Sequence, residues 1–169
     1  MNFDYSQKTF EEISWKGHEG GINGIAWSPC FKNMGSVFAS TGNDKSIIFW
    51  KYNNENINSN PEKLYEIKNA HNDFIRDIGW SYDVSKNYSL LATCSEDGSV
   101  KIWNVYLEEK EKKHNFQEIN KQNPVWKVSW NFMGNLLAIS FADSHEKGCI
   151  EVYKQNENNF EWVCDSNLN

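Results

Sequence analysis

Cysteine is scarce in this chain: four residues in 169, at Cys30, Cys94, Cys149 and Cys164, with no Cys-x-x-Cys pair and no matching histidine cluster. That spacing supplies no zinc framework, and His145 with Cys149 is the nearest approach to one, so neither a metal nor a cofactor is expected. Unpaired thiols suit a reducing compartment. Cys94 stands in a predicted buried strand and reads as a small core residue. No apolar run nears the roughly 20 residues that a membrane-spanning helix needs, so no membrane insertion is expected. Met1-Asn2-Phe3-Asp4-Tyr5 lacks the basic and apolar regions of a signal peptide, giving a cytosolic or nuclear expectation. Basic residues form no patch: 17 Lys and Arg face 23 Asp and Glu, for a net charge of −6. The electrostatic footprint of a nucleic-acid ligand is therefore missing. Gly17, Gly20 and Gly21 open a turn but have no lysine at phosphate-loop spacing. The carboxylate pairs Glu11-Glu12 and Glu108-Glu109 read as solvated, and no catalytic residue is assigned.

Aromatic residues, by contrast, are plentiful: eight Trp, seven Tyr and ten Phe. They are a packing payload typical of β architectures, in a chain long enough to bury about 70% of its unfolded surface. The stretch from Leu90 to Trp103 reads as two short strands joined at Asp97-Gly98, a turn suited to a two-residue hairpin. On its second strand Val100 and Ile102 point one way and Lys101 and Trp103 the other, as in a strand covered on both sides. Phe38 to Trp50 is a second copy, and Leu136 to Tyr153 a third, looser one. Trp27 and Trp80 are 53 residues apart, and Trp80 and Trp130 are 50. A period of about 40 to 50 residues with four short strands per repeat points to propeller blades.

Taken in order, residues 1–16 read as the outer part of a preceding repeat, with strand candidates at Phe3-Asp4-Tyr5 and Phe10-Glu11-Glu12-Ile13. The first full blade spans 17–68, the second 69–119 and the third, degenerate, 120–169. Leu64–Ile67, Phe116–Ile119 and Phe160–Val163 are the expected outer strands. Asn53–Pro61 reads as an exposed Asn-rich loop, and the charge run Leu107–His114 as a solvated loop rather than a short helix.

These residues resemble the WD-repeat family, which implies an all-β propeller, here about three four-stranded blades. In that family a His before the first strand, a Ser or Thr, a turn Asp and a terminal Trp form a structural tetrad. The matching positions are His18, Ser40, Asp44 and Trp50, then His71, Thr93, Asp97 and Trp103. A buried polar set of this kind needs internal partners. Ser, His and Asp together also suggest a hydrolase triad, but a nucleophile is needed once whereas a staple is needed in every blade. The third repeat departs: Lys121 stands at the His position, Ile139 at the Ser/Thr position and Tyr153 at the Trp position. Asp143 matches the turn Asp, but Ser144–Lys147 look inserted, so this blade is expected to lack the tetrad and to depend more on packing, including Trp126 and Trp130.

A narrower resemblance is to the small propeller subunits of the outer COPII coat and the nuclear-pore Y-complex. It is carried by Lys68–His71 with Phe74–Trp80, by Val125–Trp130 and by Phe160–Cys164. It implies a non-enzymatic scaffold for transport from the endoplasmic reticulum to the Golgi. The implied partners are a large coat solenoid subunit, which donates a blade through β-augmentation, and a nuclear-pore solenoid. It also implies a location at exit sites, coat vesicles and nuclear-envelope pores. The last blade would border the donated strands, which nominates Val125, Trp126, Ile150, Val152 and Trp162. Arg76, at the start of an inner strand, is either a ligand-binding residue or a partner of Asp73 or Asp77 in a salt bridge. The rival readings are a generic WD adaptor, such as a ubiquitin-ligase substrate receptor, and the related small Y-complex propeller. Three blades make an arc of a larger ring. The chain is accordingly expected to be a carboxy-terminal piece of a longer protein, half of a homodimer joined through open blade flanks, or a unit completed by another protein.

Overall fold

In the computed structural model, residues 13–29, 36–53, 59–82, 87–145 and 147–165 are described. All their regular structure is β. The strands are β1 (Ile22–Trp27), β2 (Ser36–Gly42), β3 (Ile47–Tyr52), β4 (Glu62–Ile67), β5 (Ile75–Trp80), β6 (Ser89–Ser95), β7 (Ser99–Tyr106), β8 (Lys113–Asn120), β9 (Val125–Trp130), β10 (Leu136–Ala142), β11 (Gly148–Gln155) and β12 (Trp162–Cys164). They form three four-stranded antiparallel meanders: β1 to β4, β5 to β8 and β9 to β12. We number these sheets one, two and three. The first strands β1, β5 and β9 are spatial neighbours, so the sheets fan out from one side. This is an arc of a β-propeller.

Period-two alternation places apolar side chains on both faces of each middle strand. On β7, Val100 and Ile102 enter the core shared with sheet three. Trp103 and Val105 enter the core shared with sheet one. The first junction is built from Val37, Ala39, Ile47 and Phe49 against Ile75, Ile78, Trp80 and Leu91. Gly24 lets β1 approach β5, since a Cβ there would stand 2.8 Å from Thr41 Oγ1 and 3.0 Å from the Ile78 backbone nitrogen.

The β6–β7 connection is longer than the two-residue hairpin expected. Glu96, Asp97 and Gly98 all lie between the strands. Only Gly98 takes a positive φ, at 79°, and its N–H donates to Ser95 O at 3.3 Å. This is the pattern of a turn followed by one left-handed residue, which frees Asp97 to serve as an acceptor. In sheet one Lys45 holds the same left-handed position, at φ 63°.

The strand candidates at Phe3–Tyr5 and Phe10–Glu12 lie outside the described residues, as do 54–58 of the Asn-rich loop. Ile13 to Lys16 form no strand. Leu107 to Lys112 form a loop before β8 begins at Lys113.

Candidate functional site

Two hydrogen-bonded staples hold sheets one and two. In the first, His18 Nε2 lies 2.7 Å from Ser40 Oγ, and Trp50 Nε1–H donates to the same oxygen at 2.8 Å. His18 Nδ1 lies 2.9 Å from Asp44 Oδ2. In the second, His71 Nε2 is 2.7 Å from Thr93 Oγ1, Trp103 Nε1–H donates to it at 2.8 Å, and His71 Nδ1 is 3.3 Å from Asp97 Oδ2. A neutral imidazole with its proton on Nδ1 satisfies every partner: the indole donates to the hydroxyl, the hydroxyl to Nε2, and Nδ1–H to the carboxylate. Each carboxylate also reaches the segment after its histidine, accepting from Glu19 N at 3.0 Å and Asn72 N at 2.8 Å.

The electrostatics agree with that protonation scheme. Burial lowers the His71 pKa, and Asp97 only partly offsets it. For Asp97, burial alone would raise the pKa. Hydrogen bonds from His71, Ser99 and the amides of Asn72 and Ser99 outweigh it and hold the carboxyl well below its usual range. Asp44 is lowered in the same way, with burial outweighed by His18, Ser46 and two backbone amides. The hydroxyls carry no nucleophile chemistry. Thr93 is fully buried and Ser40 nearly so, and each hydroxyl oxygen already takes an indole N–H.

Ser46 and Ser99 are members of these sets that the motif reading missed. Ser99 Oγ donates to Asp97 Oδ1 at 2.6 Å and stands 2.9 Å from His71 Nδ1; Ser46 Oγ donates to Asp44 Oδ1 at 2.7 Å. The signal was present, because both serines follow the turn aspartate by two residues in both copies. Lys101 is a second omission: its Nζ donates to Ala70 O at 2.7 Å and sits 4.6 Å from the Phe116 ring centroid.

Sheet three replaces the staple with an ion pair. Lys121 Nζ donates to Glu151 Oε2 at 2.5 Å, and the Tyr153 hydroxyl donates to the same oxygen at 2.7 Å. Ile139 fills the hydroxyl position and is buried. Burial pushes the Tyr153 pKa up to about 12, with Lys121 opposing and Glu151 adding. Asp143 caps its own turn, accepting from the backbone of His145 and of Lys147 at 2.8 Å each. The β10–β11 connection spans 143–147, two residues longer than 96–98. The ion pair stands beside the packing expected here, in which Trp130 meets Trp162 at 5.0 Å between ring centroids.

Among the residues nominated for partner contact, two are corrected. Val125 is fully buried and Trp162 nearly so, both in the core between sheets two and three. The β9 ladder skips one residue between Val125 and Lys127 opposite Ser140–Phe141. That bulge turns Val125 inward and Trp126 outward. Trp162 is held inward by Gln117, whose amide accepts from Trp162 N at 2.8 Å and donates to Trp162 O at 2.9 Å. Matching bulges occur at Asn23 and Arg76, so Asn23, Arg76 and Trp126 hold one position in three strands. Arg76 pairs with Glu96, not with Asp73 or Asp77, and its guanidinium sits 5.6 Å from the Trp126 ring centroid. Ile150 and Trp126 are exposed and Val152 is half-buried.

Apolar side chains are exposed on both outer faces of the arc. Ile75, Ile78 and Trp80 face sheet one and are 0%, 5% and 5% exposed, whereas their counterparts Ile22, Ile25 and Trp27 in sheet one are 47%, 60% and 58% exposed. A cavity of about 200 Å³ opens on that face, lined by Trp15, Ile22, Ile25, Phe38 and Trp50. On the far face of sheet three Ile150 is 77% exposed, whereas Val100 at the same position of sheet two is fully buried. No group of His, Cys, Asp and Glu among the described residues could hold a metal ion.

The paired staples, with every polar atom in the same role in two successive sheets, match a known pattern. The profile of the WD domain, G-beta repeat family covers residues 10–51 and 62–104. The chain belongs to the WD-repeat family. Among curated proteins this WD-repeat chain is similar to the human Protein SEC13 homolog, at 29% identity over 90% of the chain and 48% of that protein. It is 30% identical to Protein transport protein SEC13 of Yarrowia lipolytica, over 86% of the chain and 50% of that protein. Protein transport protein sec13 of Emericella nidulans matches at 29%, over 87% and 50%. The chain thus spans about half the length of the curated relatives it matches. The family profile stops before sheet three, where the staple gives way to Lys121, Glu151 and Tyr153.

Proposed function

We propose that the chain is a non-enzymatic scaffold subunit of the COPII vesicle coat, acting in protein transport from the endoplasmic reticulum to the Golgi. It would work in the cytoplasm, at exit sites and on coat vesicles, and its partner is a large helical-solenoid coat subunit that donates β structure. The observation that carries this reading is the uncovered far face of sheet three, centred on Ile150. Likeness to proteins named for transport supports it. The staples hold the blades rigid, and rigid faces that bury apolar side chains are what a scaffold offers.

The contact differs in kind from pure strand addition. Sheet three already has four paired strands, and β12 is only three residues long. A donated blade would be held chiefly by packing on the face formed by Leu136, Ala138, Ile150 and Val152, with main-chain pairing secondary. A nuclear-pore solenoid would use the same face. Arg76 of sheet two packs over the ring of Trp126 at the starts of β5 and β9, between sheets two and three.

The test is co-expression of the chain with the coat solenoid of the same organism. A stable complex is expected, weakened at least tenfold by Ile150→Glu and unaffected by Asn158→Asp on an exposed turn. Absence of any complex, or capture of a ubiquitin-ligase adaptor at the same site, would overturn the reading.

A further inference from the structure

Sheets two and three share an end that carries large apolar side chains belonging to neither core. The β9–β10 connection, residues 131–135, turns back at Phe132 and Met133, which are 84% and 69% exposed. The β5–β6 connection reaches the same end, because the Tyr82 ring stacks on Phe132 at 6.1 Å between centroids and 25° between planes. Tyr82 is 57% exposed although sheet two packs against a sheet on each face. Sheet-to-sheet packing therefore leaves this end uncovered, and a further sheet against sheet three would leave Phe132 in the position of Tyr82. The turn is built by other residues. The Asn131 carboxamide accepts from Asn135 N at 3.1 Å and Leu136 N at 3.0 Å and donates to Asn135 Oδ1 at 2.8 Å. Gly134 takes a positive φ of 70°, and its N–H donates to Asn131 O at 3.0 Å. Ser81 Oγ donates to Gly134 O at 3.3 Å and ties the turn to sheet two. Polar side chains would suit the two positions between Asn131 and Gly134 equally well, so the apolar pair there serves a surface and not the fold. With these amides taken, the apex offers a partner side chains rather than a strand edge, which favours a helix over an extended peptide. The β7–β8 and β11–β12 connections lie at the same end of their sheets. There Glu109 pairs with Lys113 at 2.9 Å, and Glu108, Glu111, Glu157 and Glu161 outnumber Lys110 and Lys112. This acidic surround repels an anionic lipid surface and attracts a partner with basic flanks.

We infer that this end of sheets two and three docks an amphipathic helix of a partner protein. Its apolar stripe covers Tyr82, Phe132 and Met133, and its flanking Lys and Arg side chains meet the surrounding carboxylates. The stacked rings and the bonded turn hold the apolar anchors in place beforehand, so little ordering opposes binding. The inference does not rest on the coat reading, because the surface is the end of the sheets and not the far face of sheet three.

A phage-displayed library of helical peptides, panned on the purified chain, tests it. Recovered peptides are expected to carry apolar residues at i, i+3, i+4 and i+7 with Lys or Arg beside the stripe. A synthetic copy of the commonest one should bind with a Kd in the micromolar range, read by fluorescence anisotropy, and more weakly as salt rises. Phe132→Ser combined with Met133→Ser should raise that Kd about tenfold and leave Tm unchanged, since neither side chain belongs to a core. Met133→Glu is a second variant and should act in the same direction, whereas Ile150→Glu should change nothing. Peptides without the stripe, with acidic flanks, or indifferent to the variants at 132 and 133 would overturn the inference, as would failure to recover any. So would Phe132-dependent binding to vesicles of phosphatidylcholine and phosphatidylserine, which would assign the apex to a membrane. The coat solenoid is absent from every arm, so failure of this inference leaves the transport reading standing.

Discussion

Replacing Thr93 by Val tests the staple at its driest point. Thr93 is 0% exposed, and the two groups bonded to its oxygen belong to His71 and Trp103, each 1% exposed. Valine keeps the shape and the γ-methyl, so it opens no cavity, but it leaves His71 Nε2 without a donor and Trp103 Nε1–H without an acceptor. A buried polar group left unsatisfied costs about 1–3 kcal/mol. Two such groups, offset by about 0.8 kcal/mol for the extra buried methyl, give a net loss of about 3 kcal/mol. For a chain of this size each kcal/mol moves the midpoint by about 2–4 °C, so Tm falls by about 9 °C. Urea unfolding followed by tryptophan fluorescence and calorimetry both read this loss. Thr93→Ser, which keeps the hydroxyl and loses only the methyl, is the control and costs about 1 kcal/mol. Equal losses for Val and Ser, or a loss under about 1 kcal/mol for Val, would refute the reasoning, because the hydrogen bonds would then contribute nothing beyond packing.

Acid should weaken the protein in two stages. The folded pKa of His71 lies below its ordinary 6.5, so its contribution is complete above pH 6.5 and is lost as pH falls through the folded value. Asp97 is also held below its ordinary 3.8, and its contribution is complete above that pH and lost on further acidification. Urea midpoints from pH 8 down to 3 are expected to fall monotonically, and His71→Gln removes the upper stage. Gly98→Ala should cost about 1–2 kcal/mol, since φ is 79° and the new Cβ would meet Lys121 O at 2.7 Å; thermal unfolding reads it. Lys121→Met with Glu151→Gln should show a coupling of about 1–2 kcal/mol in a double-mutant cycle, because each single change strands the other group.

Much of the fold was legible because the chain repeats itself. Asp44 and Asp97, or Trp50 and Trp103, recur at one spacing, and period-two alternation gave both faces of β7. The site was less legible where side-chain direction depends on backbone irregularity. Val125 and Trp126 are nominated together for partner contact, but a one-residue bulge turns Val125 into the core and leaves Trp126 exposed. Arg76 has acidic neighbours on either side in sequence, yet its partner Glu96 comes from the β6–β7 turn, which sequence distance does not reveal. Lys121 lies in the β8–β9 loop while Glu151 and Tyr153 lie two apart on β11, so no motif joins them, and only the approach of that loop to β11 does so. Trp162 stood in the correct outer strand, but its inward pull depends on the Gln117 amide in a different sheet.

Among the described residues only sheet two packs against a sheet on each face, and this sets a gradient of local stability along the arc. Amides of β6 and β7 open only when two junctions are lost together, whereas those of the outer sheets open after one. Deuterium should therefore reach the amides of sheets one and three before those of sheet two. The last protons to leave would be those around Cys94 and Val100, where one strand pair serves as the keystone for the sheets on either side.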